Sequence, residues 1–162
     1  MEFALTEDQV MFQDSVAAFL ADASPLDRVR EVAAGDMALA AEMTGGLQAL
    51  GAGQILVPEA YDGLGLGLLD AALVQEALGA AVAPAGYLAG AMAAVGISSA
   101  GDETQKAEWL GALANGNMRI GVAVAEQVGA REGAGVKAGA GTVSGRSLFA
   151  LETANALGNL VM

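Results

Sequence analysis

The segment that most constrains this chain is Val57-Pro58-Glu59-Ala60-Tyr61-Asp62-Gly63-Leu64-Gly65-Leu66-Gly67. An apolar run, Ile55-Leu56-Val57, meets Pro58 there. Proline lacks an N–H and restricts the residue before it, so a regular element ends at that point. Tyr61-Asp62-Gly63 is a turn cluster. Gly63, Gly65 and Gly67 then alternate with leucine and lead into Leu68-Leu69-Asp70, where a helix can begin. Glycine at every second position suits backbone that takes positive φ or lies close against another surface. The spacing is not G-x-G-x-x-G, and no Lys-Ser or Lys-Thr follows, so neither a dinucleotide turn nor a phosphate loop fits. The reading is a tight connection between two helices.

The flanking sequence reads as helices. Thr6-Glu7-Asp8-Gln9 is a capping box, with Leu5 and Val10 as a hydrophobic staple. The helix it starts runs to about Asp22 and buries Phe12, Val16, Phe19 and Leu20. Ser24-Pro25 restarts the chain, with Pro25 at a first helical position, and a short helix ends at Gly35. Asp36 caps a third helix with Leu39, Met43, Leu47 and Leu50 on one face, stopped by Gly51. Gly45-Gly46 inside it implies close packing or local weakening. A fourth helix spans about Leu66 to Val82, with Leu69, Leu73, Ala77 and Ala80 apolar. Glu76 among them reads as an edge residue that reaches solvent. Pro84 starts a fifth helix to about Ile97, with Tyr87, Leu88, Ala91, Met92 and Val95 as its stripe. Asp102 and Gln105 form the capping box of a sixth, which packs Trp109, Leu110 and Leu113 inward and stops at Asn115-Gly116.

Beyond Asn117 the period changes. Ile120, Val122 and Val124 alternate with Gly121, Ala123 and Ala125, which is a strand pattern. Gly129 to Gly141 reads as loop. Val143 to Glu152 and Leu160-Val161-Met162 read as further strands, with a turn near Asn155 to Asn159. The expected fold is therefore mainly α: a six-helix bundle-like domain over 1–117, then the opening strands of a partial β-domain over 118–162. A chain ending on a strand leaves an unpaired edge, which reads as a truncated product, a fragment or one part of a split enzyme.

Composition narrows the function classes. The net charge of −12, from 7 basic and 19 acidic side chains, disfavours nucleic acid and anionic membrane surfaces. With no cysteine and no histidine in the chain, disulfides, thiolate nucleophiles, serine–histidine hydrolysis and zinc chemistry are excluded for it. No metal site is expected. The N-terminus carries Glu2, Glu7 and Asp8 where a signal peptide would be basic and then apolar, so a cytoplasmic location is expected. Residues 77–101 are uncharged and long enough to span a bilayer. They are mostly small, contain Pro84 and lack basic flanks, so a membrane span is not expected.

The segment V-P-E-x-Y-x-G-x-G between helices resembles the acyl-CoA dehydrogenase family. Phe3-Ala4-Leu5-Thr6-Glu7-Asp8-Gln9 resembles the family's opening. Gly101-Asp102-Glu103-Thr104-Gln105-Lys106, followed by Trp109-Leu110 and Leu113-Ala114-Asn115-Gly116, resembles the helix that closes its N-terminal domain. These blocks fall in the family's order. The resemblance implies an FAD-dependent α,β-dehydrogenation of an acyl-CoA thioester, a role in lipid metabolism, and a homo- or hetero-oligomer. It implies that the fourth and fifth helices help line the acyl cavity, with Leu88 and Met92 touching substrate. Met or Leu at helical spacing is more often a core signature.

Two strand segments carry the implied flavin contacts. Val122, Val124, Ala125 and Glu126 match the strand that ends in Thr-Glu-Pro, with Ala125 and Gln127 in place of Thr and Pro. Gly145-Arg146-Ser147-Leu148-Phe149-Ala150-Leu151 matches G-x-K-x-W-I-T, which puts Phe149 against the ring and Leu151 where a threonine is usual. Phe149 is also readable as a plain strand-core aromatic. Each lost hydroxyl partner weakens binding by about 1 kcal/mol. No residue matches the family's catalytic carboxylate, and neither Glu76 nor Glu126 is assigned to that role. The alternative is a non-catalytic subunit, or a helical interaction module, that pairs with a complete dehydrogenase.

Overall fold

The computed structural model describes residues 4–124 and 134–161. Six helices come first: α1 (Glu7–Ala23), α2 (Leu26–Ala33), α3 (Met37–Ala49), α4 (Leu68–Ala80), α5 (Tyr87–Ala100) and α6 (Glu103–Ala114). Strands β1 (Ile120–Ala123), β2 (Gly135–Gly139), β3 (Thr142–Arg146) and β4 (Gly158–Val161) follow. The mainly α class, with strands after the helices, matches the expectation.

Local sequence signals start the helices where they were read. The Thr6 hydroxyl accepts from the Gln9 amide at 3.2 Å, and the Thr6 amide donates to Gln9 Oε1 at 3.0 Å. Asp102 and Gln105 repeat that exchange at 2.8 and 3.0 Å. Asp36 caps α3 through Ala38 and Leu39. Pro25 is the residue just before α2 rather than its first member. The fifth helix starts at Tyr87 and not at Pro84. The reason is the end of α4, where Val82 takes φ +49° while its amide bonds Gly79 and that of Ala83 bonds Leu78. That pair of bonds closes a helix in the manner usually reserved for glycine, and the chain needs 83–86 to turn back.

The segment 54–66 folds onto itself. The amides of Leu64, Gly65 and Leu66 donate to the carbonyls of Gln54, Val57 and Ile55, each at 2.8 Å. The Gly63 amide donates to Pro58 at 3.2 Å. A side chain at Gly63 would overlap the Val57 carbonyl, and Gly65 holds φ +60°. The alternating glycines are thus what lets this loop close. Tyr61 ties it to α6 through a hydroxyl bond to Glu103 at 3.3 Å.

That closed loop sits between two apolar clusters. One gathers Val16, Leu20, Leu47, Ile55, Val74 and Leu78 from α1, α3, α4 and the loop. The other gathers Val57, Ala93, Ile97, Leu110, Ile120 and Val122 from the loop, α5, α6 and β1. Ile55 belongs to the first, Val57 to the second, and Leu56 packs against both. The pair Gly45-Gly46 divides in role. A side chain at Gly46 would overlap the Phe19 ring, so Gly46 seats α1 on α3, whereas Gly45 faces open space.

Four expectations are corrected. On α4 the buried face is Ala71, Leu73, Val74, Ala77 and Leu78, and Leu69 and Ala80 are exposed. Leu69 lies in the first turn, beside the loop rather than over the core. On α5 the buried positions are Ala89, Ala93, Ala94 and Ile97, while Leu88 and Val95 point outward. Alanine, not the bulkier stripe, faces the core because α5 lies close to α6 and β1. Within the stretch read as loop, Gly135–Gly139 forms β2, an antiparallel hairpin with β3 in register Gly139↔Thr142. Its signal was hidden because glycine and alanine depress strand propensity. β3 ends at Arg146, short of the expected Glu152. The other sheet pairs β1 with β4 in parallel, Ile120↔Gly158 through Ala123↔Val161. Among the described residues no helix is long and apolar enough to cross a membrane.

Candidate functional site

Helix α5 carries Leu88 and Met92 and packs against β1, which holds Val122. Tyr87, Gly90, Ala91 and Ala94 are spaced by three and four and share one side. Leu88 and Met92 share another. Met92 packs against the α5–α6–β1 cluster, and Leu88 is 45% exposed.

β1 crosses α5 and brings the two strand segments together. Val122 and Leu151 exchange backbone bonds, Val122 N–H to Leu151 O at 2.9 Å and Leu151 N–H to Val122 O at 2.8 Å. Val122 is buried, Val124 is half-buried against the same cluster, and Leu151 is partly exposed. Phe149 stands two residues before this bridge with φ +54° and 71% of its surface exposed. It is a surface aromatic here and not a core one. Ala125 and Glu126 lie outside the described residues, as does the Gly129-Ala130-Arg131 stretch.

The remaining polar candidates are quickly placed. Glu76 is exposed and accepts from Gln13 at 3.3 Å across the α1–α4 contact, which is the edge position expected of it. Asp70 receives the Gln9 carboxamide at 3.0 Å and the Gly67 amide at 2.9 Å. Burial, and then the carboxylate of Asp70, push the Tyr87 phenol above its ordinary range. The Tyr87 hydroxyl is buried and has no hydrogen-bond partner among the described residues. No group of three or more acidic, histidine or cysteine side chains among the described residues is placed to hold a metal.

Sequence reasoning missed a cavity of about 470 Å³ between α3, the Ala52–Gln54 turn, α5 and the start of β1. Its walls include Leu47, Gln54, Leu56, Gly90, Ala91 and Leu113. Leu88 and Met92 are not among them. Gln48 closes one end, donating its carboxamide to the Ala114 carbonyl and resting over Gly53 and Gly116. The signal that pointed to it was Gly45 inside a helix.

Comparison with known proteins covers most of the chain. Residues 6–117 match the family profile described as acyl-CoA dehydrogenase, N-terminal domain. No curated sequence matches significantly. A structure of the electron transferring flavoprotein of Acidaminococcus fermentans superposes with TM-score 0.62 at 27% identity, covering 76% of this chain and 33% of that one. An acyl-CoA dehydrogenase complexed with FAD from Bacillus anthracis gives 0.61 at 22% identity, covering 74% and 21%. The structure titled apo-form PigA gives 0.67 at 21% identity and covers 93% of this chain and 42% of its own. The chain therefore spans between a fifth and about two fifths of these proteins' lengths.

Proposed function

The chain belongs to the acyl-CoA dehydrogenase family, and we propose that residues 1–117 supply the helical domain, and 118–162 part of the β-domain, of a flavin-dependent dehydrogenase of acyl-CoA thioesters. The observation that supports this reading is the backbone pairing of Val122 with Leu151, which joins the two segments that we assign to the flavin, with Phe149 exposed nearby. That arrangement fits an isoalloxazine ring laid against Phe149 and the β1 end. The amides of Val122 and Leu151 already serve each other, and Ala125 and Glu126 are assigned to the flavin by family resemblance alone. Val124 supplies an apolar wall.

When bound, FAD supplies the hydride acceptor, and the protein's part is to position and polarise. We assign Leu88, exposed on α5, and Met92, which packs against the α5–α6–β1 cluster, to the acyl chain. The α-proton is taken by a carboxylate that neither Glu76 nor Glu126 provides. A homo- or hetero-oligomer in the cytoplasm completes the proposal. The exposed Val143, Phe149 and Leu157, together with the missing hydroxyls at 125 and 151, favour a second reading. In it the chain is a non-catalytic subunit that pairs with a complete dehydrogenase.

Titration of the chain with FAD, followed by quenching of flavin fluorescence, tests the first reading. Saturable quenching is expected, weakened roughly tenfold by Phe149→Ala through loss of aromatic stacking. No quenching, either by the chain alone or with the C-terminal part of a family member supplied, rejects it in favour of the subunit reading.

A further inference from the structure

The cavity beside α5 lies on a different side of that helix from Leu88 and Met92, the residues assigned to the acyl chain. We propose that it is a second binding site, for a compact, uncharged and mainly apolar molecule. This inference does not rest on the flavin reading. Its volume of about 470 Å³ falls inside the range of roughly 300–1,000 Å³ typical of ligand pockets. Two helix-interior glycines are among its lining residues, Gly45, which is exposed, and Gly90, which is half-buried. A Cβ built on Gly45 of α3 meets no atom within 4 Å, and one built on Gly90 of α5 meets only Leu113, at 3.9 Å. Gly46 is explained by the Phe19 ring that it seats. Gly45 makes no such contact, although it carries glycine's penalty in a helix.

The lining fixes the chemical class. Leu47, Leu56, Ala91 and Leu113 make much of the wall apolar, and Thr44, Gln48, Gln54 and Asn115 in the same lining can hydrogen-bond one hydroxyl or carbonyl. Arg119 and Glu152 also line the cavity and are exposed. Neither forms an ion pair among the described residues. One charge of each sign matches no net charge on a ligand, and an ionised head inside the apolar walls would be penalised.

The test is a titration of the isotope-labelled chain with 1-hexanol, read by amide NMR shifts. Saturable shifts at Thr44, Ala91 and Leu113 are expected, with a dissociation constant on the order of 1 mM for so small a probe. Hexanoate and hexylamine are expected to bind about fivefold or more weakly, because each carries a charge inward. Gly45→Leu fills open space and improves helix propensity, so that variant is expected to melt at or above the parent temperature and to lose the hexanol shifts. Leu88→Ala is expected to keep them. Shifts that persist in Gly45→Leu, shifts confined to the surroundings of Leu88, or no saturation in the parent would each overturn the proposal.

Discussion

Leu110 in α6 has no exposed surface, whereas Val143 in β3 leaves 67% of its surface in solvent. The contrast extends to their surroundings. Each of α1, α3, α4, α5 and α6 contributes at least two buried residues to the interior. Every residue of β3 is exposed, and β2 is at best half-buried. β1 and β4 stand between these extremes. All of β1 is buried, and Leu160 of β4 lies so close to α5 that a side chain at Gly96 would overlap it. The helices are thus held by burial, β1 and β4 by docking on α5, and the β2–β3 hairpin by its own ladder alone. An isolated two-stranded hairpin is marginal in water.

The sharpest way to break the comparison is to cut into the helical interior. Leu110→Ala is expected to cost about 2–5 kcal/mol, the range for truncating a fully buried leucine. Gly63→Ala is expected to cost about 3 kcal/mol through the clash with the Val57 carbonyl. Urea denaturation of each variant reads both values. A loss under 1 kcal/mol from Leu110→Ala would mean that the interior is not packed as described.

A middle-sized effect comes from a cap. Asp102→Ala removes the acceptor for the Gln105 amide and is expected to cost about 1 kcal/mol. Tyr87 sharpens the comparison differently, because its buried hydroxyl gains nothing. Tyr87→Phe is expected to leave stability at neutral pH within about 1 kcal/mol of the parent, or above it. The folded phenol holds its proton more tightly than the unfolded one. The parent therefore keeps its full stability below the ordinary tyrosine value of about 10 and loses it as pH rises beyond that value. Tyr87→Phe should show a shallower alkaline decline in melting temperature. Identical declines would refute the burial of that hydroxyl. The smallest effect belongs to the hairpin: Val143→Thr should change stability by no more than about 0.5 kcal/mol.

The same division decides what the sequence made legible. Caps at Thr6, Asp36 and Asp102 are read from residues three apart, so the helices they start were found in place. The loop at Val57 to Gly67 was recognisable because proline and alternating glycine leave few conformations. Strand pairing is not local. β4 pairs with β1 from 38 residues away at Ile120↔Gly158, and no short pattern encodes that. In the candidate site, Phe149 and Leu88 were legible as residue types, but their exposure depends on which side of α5 and β1 meets the interior. The cavity was illegible because it is made by what Gly45 and Gly90 lack. The end of α4 was read at about Val82, but not its closure by Val82 itself, because a β-branched residue rarely takes positive φ.

Native-state hydrogen exchange, with and without FAD, tests the central claim most directly. Amides in α3 to α6 are expected to exchange only with global unfolding, β1 and β4 amides at intermediate rates, and those of β2 and β3 fastest. Adding FAD should slow residues 119–124 and 148–152 selectively. Uniform protection across helices and hairpin, or FAD leaving those two segments unchanged, would contradict the account.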